Sequence, residues 1–259
     1  MLRFKNLGSG STGNATVVEG TGGSRVSRLL VDSGFGIRQL QSRLAQAGLR
    51  IEDIDAVFIT HEHSDHIGCA QTLAVRHGLP VWMSAGTHAA LGAPDLGGGL
   101  RVARDMEPID LPALSALPFT VPHDAREPLQ LRCTDGTASL AVMTDLGHAS
   151  DHVLRQLEGC DAMMIEANHD PELLAASSYP AFLKRRVGGR FGHLANAASA
   201  GILRAVRHDA LQCVVAAHLS ARNNAPALAR RALSEAMGWH EERVVVADPL
   251  LGTDWLGVG

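Results

Sequence analysis

The run Phe58-Ile-Thr-His61-Glu-His63-Ser-Asp65-His66 constrains this chain more than any other, because an apolar segment stops abruptly in three imidazoles and a carboxylate. Ile54, Ala56, Val57, Phe58 and Ile59 have the branched and aromatic content of a buried strand, so His61 to His66 occupy the turn at its carboxyl end. Ligands fixed there are held more firmly than ligands on a free loop. Neutral imidazole and carboxylate suit zinc, manganese, iron and cobalt, whereas calcium takes oxygen ligands alone. Four donors exceed what one ion takes from a single turn. His61 and His63 can converge on one ion while Asp65 and His66 reach a second, the paired arrangement used for hydrolysis. The competing reading is a solvated surface turn, and the order H-x-H-x-D-H directly after an apolar strand argues against it. Each ion still lacks ligands, so further His and Asp are expected at later strand ends.

Three such ends follow. Leu117-Pro-Phe-Thr-Val121 stops at Pro122-His123, which makes His123 the candidate third ligand of the first ion. Apolar runs over 129–133 and 139–143 read as a hairpin around Asp135-Gly136, and the second stops at Thr144-Asp145. A carboxylate has an oxygen for each of two cations, so Asp145 suits a bridge; its rival role is to cap a following helix. The run over 211–217 ends at His218, and a further buried strand, 162–166, ends at Glu166. Apolar spacing predicts helices over 37–49, 66–77, 180–187, 195–208 and 226–237. Gly8 to Asn14 reads as a hairpin loop, since it lacks the lysine and the following helix of a phosphate loop. Lys184, Arg185, Arg186 and Arg190 form the densest basic run, either a solvated helix face or a contact to a phosphate backbone. No aromatic stacking ladder accompanies it in the sequence.

Composition sets bounds around this centre. At 259 residues and 46% hydrophobic content the chain can bury a substantial core, and one α/β domain over 1–259 is expected. A net charge of −4 argues against a broadly basic nucleic-acid-binding face. The 4 cysteines form no C-x-x-C pair, which excludes a zinc ribbon and a dense disulfide scaffold. There is no basic-then-apolar leader and no apolar run near the roughly 18 residues of a membrane span, so the expected location is the cytoplasm with no membrane partner. A homodimer is compatible with the sequence.

Together these residues resemble the metallo-β-lactamase fold superfamily, whose H-x-H-x-D-H signature matches His61, His63, Asp65 and His66 and whose later ligands match His123, Asp145 and His218. Leu7 to Asn14, Val121-Pro-His-Asp-Ala125, Thr144-Asp-Leu-Gly147, Glu166-Ala-Asn-His-Asp170, Tyr179-Pro180, Gly192-His-Leu-Ala-Asn196 and His218-Leu-Ser-Ala-Arg-Asn-Asn224 narrow the resemblance to YycJ-type bacterial proteins, relatives of ribonuclease Z and of phosphonate-pathway phosphodiesterases. The chain departs from that pattern at Ala195, Arg222 and His148, where serine, an acidic residue and an aromatic are usual; His148 could compete as a ligand. The resemblance implies an αββα sandwich, two mixed β-sheets flanked by helices, holding two divalent metal ions (zinc or manganese, with iron compatible). The implied activity is phosphodiester cleavage of nucleic acid, in the manner of a 5′-to-3′ DNA exonuclease, by a hydroxide bridging the ions. Asp65 would bind metal and orient that hydroxide, and His193 supported by Glu166 would protonate the leaving group. Ser11, Asn14, Asn168, Ser220 and Asn223, in the same motifs, are the expected substrate contacts. The alternatives are a glyoxalase II-like thioesterase, a small-molecule cyclic phosphodiesterase and a non-catalytic metal-binding sensor.

Overall fold

Strands whose side chains are apolar on both faces must be covered on both faces, and that requirement generates the layers seen here. A computed structural model describes residues 1–259. The first sheet contains β1 (Leu2–Gly8), β2 (Ala15–Gly22), β3 (Arg25–Val31), β4 (Ala56–Phe58), β5 (Val81–Ser84) and β6 (Leu100–Ala103). The second contains β7 (Ile109–Leu111), β8 (Leu114–Thr120), β9 (Leu129–Thr134), β10 (Ser139–Met143), β11 (Ala162–Glu166), β12 (Cys213–Ala217) and β13 (Val244–Val246). A last strand, β14 (Leu256–Val258), returns to the first sheet beside β1, giving the orders β14-β1-β2-β3-β4-β5-β6 and β13-β12-β11-β10-β9-β8-β7. Each sheet is antiparallel at its hairpins and parallel from β3 to β6 and from β10 to β13.

Residue alternation assigns each side chain to a layer. Leu29, Val31, Ala56 and Phe58 face Leu140, Val142, Ala162, Met164, Val215 and Ala217 between the sheets. Leu30, Val57 and Ile59 point the other way, under α1 (Ile37–Gln46), a short α2 (Ser64–Ile67) and α3 (Ala70–His77). Ala141, Met143, Met163, Ile165, Val214 and Ala216 pack beneath the helices on the far side. After α4 (Ala85–Ala90) come α5 (Asp151–Leu157), α6 (Pro171–Ala176), α7 (Ala181–Val187), α8 (Asn196–Val206) and α9 (Pro226–Met237), of which α5, α8 and α9 supply that cover. Each buried Val, Leu or Ile contributes roughly 1.5–3 kcal/mol, which makes this three-layer core the dominant stabilising feature. The result is two mixed β-sheets flanked by helices, as expected. No helix is long and apolar enough to cross a membrane.

One local expectation is corrected, one strand was not foreseen and one rival reading falls. The helix expected over 66–77 is two helices broken at Gly68, whose φ is +32°. A Cβ there would lie 2.1 Å from the Ser33 carbonyl oxygen, so the β3–α1 loop wedges into the gap. Gly34 allows the same approach from the other side, since its Cβ would fall 1.7 Å from the Asp65 carbonyl oxygen. The tail forms β14, with Leu2 opposite Val258, a long-range pairing that three residues do not announce locally. Asp145 caps no helix: α5 begins later, capped by Ser150.

Candidate metal centre

The parallel strands deliver their carboxyl ends to one rim, and the donors stand there. His61 follows β4, Asp145 follows β10, Glu166 ends β11 and His218 follows β12; His123 arrives from β8. His61, His66, His123, Asp145 and His218 are all buried, at 5% exposure or less. His61 Nε2 lies 3.0 Å from His63 Nδ1, which lies 3.4 Å from His123 Nε2. On the other side, Asp65 Oδ2 is 3.3 Å from His218 Nε2 and 3.6 Å from His66 Nε2. Within each of these two trios the donor atoms lie within 4.8 Å of one another. Tetrahedral coordination at the usual metal–nitrogen distance puts neighbouring donors about 3.4 Å apart, which both trios match.

Asp145 stands between them. Its Oδ1 is 3.8 Å from His123 Nε2 and its Oδ2 is 3.0 Å from His66 Nε2, one oxygen toward each trio. Oδ2 is buried and no donor meets it in hydrogen-bond geometry, the His66 ring 3.0 Å away included, a state that a cation would relieve. The donor set and this orphaned oxygen fit divalent metal.

Outer partners fix the rings. Asp32 Oδ2 receives His66 Nδ1 at 2.7 Å, while its Oδ1 accepts from the Thr60 amide at 2.9 Å. His123 Nδ1–H donates to the Gly192 carbonyl at 3.0 Å. In both cases the second ring nitrogen is left facing the centre, the usual device for orienting a ligating histidine. Asp32 was not among the expected site residues, although it too ends an apolar strand. Asp124 was also missed: its Oδ1 is 3.8 Å from His63 Nε2 and its Oδ2 accepts from Arg186 Nε at 2.6 Å.

Glu166 is fully buried, so it supports and does not touch the cleft. Its Oε1 lies 2.7 Å from His193 Nδ1 and 3.3 Å from His218 Nδ1; its Oε2 accepts from the amides of Leu146 and Leu194 at 2.9 and 3.2 Å. His193 lines the cleft with Nε2 free, its Nδ1 held by Glu166 and 3.3 Å from Asp145 Oδ1.

Charge divides the cluster. Burial, with the neighbouring His66 charge, holds His61 well below the usual imidazole value, and burial lowers His123 too. Burial opposes charge on His66, His218 and His193 as well, yet the surrounding carboxylates win. Asp145 and Asp32 push His66 up to about 10, Asp145 with Asp65 and Glu166 brings His218 to about 10, and Glu166 with Asp145 brings His193 to about 11. Burial would raise Asp145, but the imidazolium charges of His218 and His66 hold it well below the carboxylate range.

The cluster floors a cleft of about 330 Å³ lined by Ser11, Asn168, Ser220 and Asn223 among others. Asn14 is different. It is buried behind the centre, its amide donating to the Asp65 carbonyl and Oδ2, each at 3.3 Å, so it positions Asp65 and does not reach the cleft. His148 is also outside: its Nδ1–H donates to the Arg190 carbonyl at 2.9 Å and its ring meets Phe191. From the basic run only Arg186 reaches the cleft, beside Tyr179, Leu183 and Val187.

Comparison with known proteins agrees with this architecture. Residues 27–219 match the family model of the β-lactamase superfamily domain. The chain is 34% identical over 242 residues to exodeoxyribonuclease YycJ of Bacillus anthracis, covering 91% of this chain and 89% of that protein. It is 33% identical over 238 residues to exodeoxyribonuclease WalJ of Streptococcus pneumoniae, covering 88% and 85%. The crystal structure of the metallo-β-lactamase fold protein YhfI from Bacillus subtilis superimposes with a TM-score of 0.75 at 18% identity over 98% of each chain, a likeness of fold. At this identity and coverage, and with its family model matched over most of its length, the chain belongs to the β-lactamase superfamily, in its YycJ/WalJ branch.

Proposed function

We propose that this chain is a metal-dependent phosphodiesterase that cuts DNA strands from an end, with His61, His63 and His123 holding one divalent cation, Asp65, His66 and His218 a second, and Asp145 shared. The observation that carries this is the pair of donor trios meeting at Asp145 on the floor of a polar cleft. The exonuclease names of the two bacterial relatives support the substrate class. Zinc and manganese both suit the nitrogen and carboxylate set. Cations bound there would supply Lewis-acid polarisation of a phosphoryl oxygen and an activated water. The protein does the remaining work. Asp65, pinned by Asn14, presents an oxygen to the reacting side of the cleft. His193 holds a proton on Nε2 at neutral pH because Glu166 occupies Nδ1, so it suits protonation of the departing sugar oxygen. Ser11, Asn168, Ser220 and Asn223 line the wall where a nucleotide would lie.

The direct test offers the metal-loaded chain a 5′-phosphorylated DNA strand, bis-p-nitrophenyl phosphate and S-lactoylglutathione, with manganese and with zinc. Turnover of the thioester alone would sink the phosphodiesterase reading, and no turnover of any would favour a sensor. Within that assay, His193→Ala is expected to lose about 10²–10⁴ in turnover, the range of a general acid, while keeping its metal. His61→Ala is expected to lose metal as well. Equal turnover of His193→Ala and the unaltered chain would remove His193 as proton donor.

Metal binding should also release protons. His66 and His218 carry them at pH 7 in the metal-free chain and must give them up to ligate. Their folded values, about 10, stand above the unfolded value near 6.5. Their contribution to metal-free stability is therefore complete below about pH 6.5 and lost as pH rises toward about 10. Calorimetric titration of metal in buffers of different ionisation enthalpy is expected to show net proton release at pH 7, with affinity rising as pH rises. Buffer-independent heats would contradict it.

A further inference from the structure

Glycine at 8, 10 and 13 would leave the β1–β2 loop, Gly8 to Asn14, free to move, yet neighbours fix it from inside and outside. Inside, the Asn14 side chain grips Gly10, accepting from its amide at 2.9 Å and donating to its carbonyl at 3.1 Å. Outside, the Phe35 ring, with the Arg43 guanidinium 4.1 Å above it, fills the space that side chains at Gly8 and Gly13 would need. Arg43 also donates to the carbonyls of Leu7 and Leu250. Ser9 and Asn14, 1% and 2% exposed, are thereby aimed inward.

Both reach the same half of the metal centre. Asn14 Nδ2 lies 3.3 Å from Asp65 Oδ2 and 3.2 Å from His66 Nε2, and the Asn14 backbone N–H donates to the Asp65 carbonyl at 2.8 Å. Ser9 Oγ accepts from the His218 backbone N–H at 2.7 Å. His218 depends on such a restraint, because its φ of +54° lies in the left-handed region that a residue with a side chain rarely occupies. That backbone persists only where its surroundings over-determine it. The Asn168 side chain holds the other end of the residue, donating to the His218 carbonyl at 2.9 Å. Asp65, His66 and His218 are the whole of the second donor trio. No hydrogen bond joins the loop to His61, His63 or His123, whose outer partners are Thr60, Asp124 and the Gly192 carbonyl.

We infer that the Gly8–Asn14 loop is the scaffold of the second cation alone, with Ser9 and Asn14 as positioning residues that preset His218, Asp65 and His66 for it. The inference rests on the two-cation reading and deepens it, since it assigns the two ions to separate supports. A buried loop hydrogen-bonds to whatever it passes, but chance would not give it all three donors of one trio and none of the other. Neither side chain lines the cleft, so both act through the ligands they hold. Groups that orient a metal ligand set affinity nearly as firmly as the ligand itself. Loosening this loop therefore empties one site and spares its neighbour.

The experiment titrates the full-length, chelator-treated chain with cobalt(II), by calorimetry for affinity and by visible absorption for the coordination of the ion. A His61→Ala, His63→Ala chain keeps only the second site, and a His66→Ala, His218→Ala chain only the first. In the former, Asn14→Ala is expected to weaken cobalt(II) binding about 10–100-fold, the usual cost of removing a ligand's outer partner, and Ser9→Ala about tenfold. The visible bands should shift as well. In the latter, both changes are expected to leave affinity and bands unaltered. Thr12→Ala, at an exposed position of the same loop, should be silent in both. A merely structural role for the loop would weaken the two sites alike, so the split is the diagnostic readout. Should Asn14→Ala fail to fold, Ser9→Ala, which removes one hydroxyl, carries the comparison. Equal weakening in the two backgrounds, or none in either, overturns the inference and leaves the two-ion centre. No binding by the chain lacking His61 and His63 overturns both. A split found in a chain that cuts no phosphodiester removes the nuclease and leaves the role of the loop.

Discussion

An Asp145→Asn chain is expected to lose at least about 10³ in turnover on a phosphodiester, more than a single preorganised electrostatic contact usually costs. It is also expected to hold fewer divalent ions per chain than the unaltered protein. The substitution preserves shape and burial, so the effect isolates charge and acceptor number. In the native chain one oxygen looks toward His123 and the other, without a hydrogen-bond partner, toward His66. An amide can present its oxygen to only one of the two trios and must point N–H groups at the other. The loss of negative charge has a second consequence. Asp145 is among the groups that raise His66, His218 and His193, so all three should lose protons at lower pH in the variant. Plasma emission analysis of metal content, read beside turnover on bis-p-nitrophenyl phosphate, separates these effects. A variant with full metal content and turnover within tenfold of the original would show that Asp145 is not shared between two ions.

Most of that geometry was legible in the sequence because the donor residues stand at strand ends. An apolar run that stops in His or Asp states both where a rigid element ends and which chemistry sits on it, as at His61, His123, Asp145 and His218. The residues that went unseen act through their neighbours. Asp32 ends β3 in the same way, but a lone carboxylate gives no sign that a ring thirty-odd positions later will turn toward it. Its positive φ of 61°, which aims the side chain back beneath the motif, exists only in the folded chain. Asn14 illustrates the converse. A polar residue in a glycine-rich loop suggests exposure, yet the Asn14 amide donates to the Asp65 carbonyl at 2.8 Å and Gly34 of the β3–α1 loop closes over it, so Asn14 is buried. The fold followed the same division. Continuous apolar runs marked β3, β4, β10, β11 and β12, whereas β14 depends on Leu2, Arg3 and Phe4 at the far end of the chain. The basic run shows a third case: its composition was plain, but which of its cations reach the cleft depends on helical phase, and only Arg186 does.

Glu166→Gln, nominally the mildest change at that position, is expected to cost about 3–5 kcal/mol of stability in the metal-free chain, the range for breaking one side of a buried ion pair. The reason is a count of donors. Glu166 Oε1 faces His193 Nδ1 and His218 Nδ1, and Oε2 faces the amides of Leu146 and Leu194. All four neighbours present hydrogen when the histidines are charged, and a carboxylate accepts from them on both oxygens. Glutamine has a single acceptor oxygen, so its NH2 must meet either the two imidazoles or the two backbone amides donor to donor. The side chain is fully buried, out of reach of bulk solvent that would otherwise relieve the conflict. Urea unfolding of the metal-free proteins measures the difference directly. Metal content should fall less in this variant than in Asp145→Asn, since Glu166 steadies His218 from behind, whereas Asp145 faces both trios. A companion Glu166→Gln, His193→Asn pair tests the assignment, because a second side chain able to accept at that point should recover part of the loss. Stability within about 0.5 kcal/mol of the unaltered chain, the usual range for changes away from such features, would mean that Glu166 is not the anchor described here.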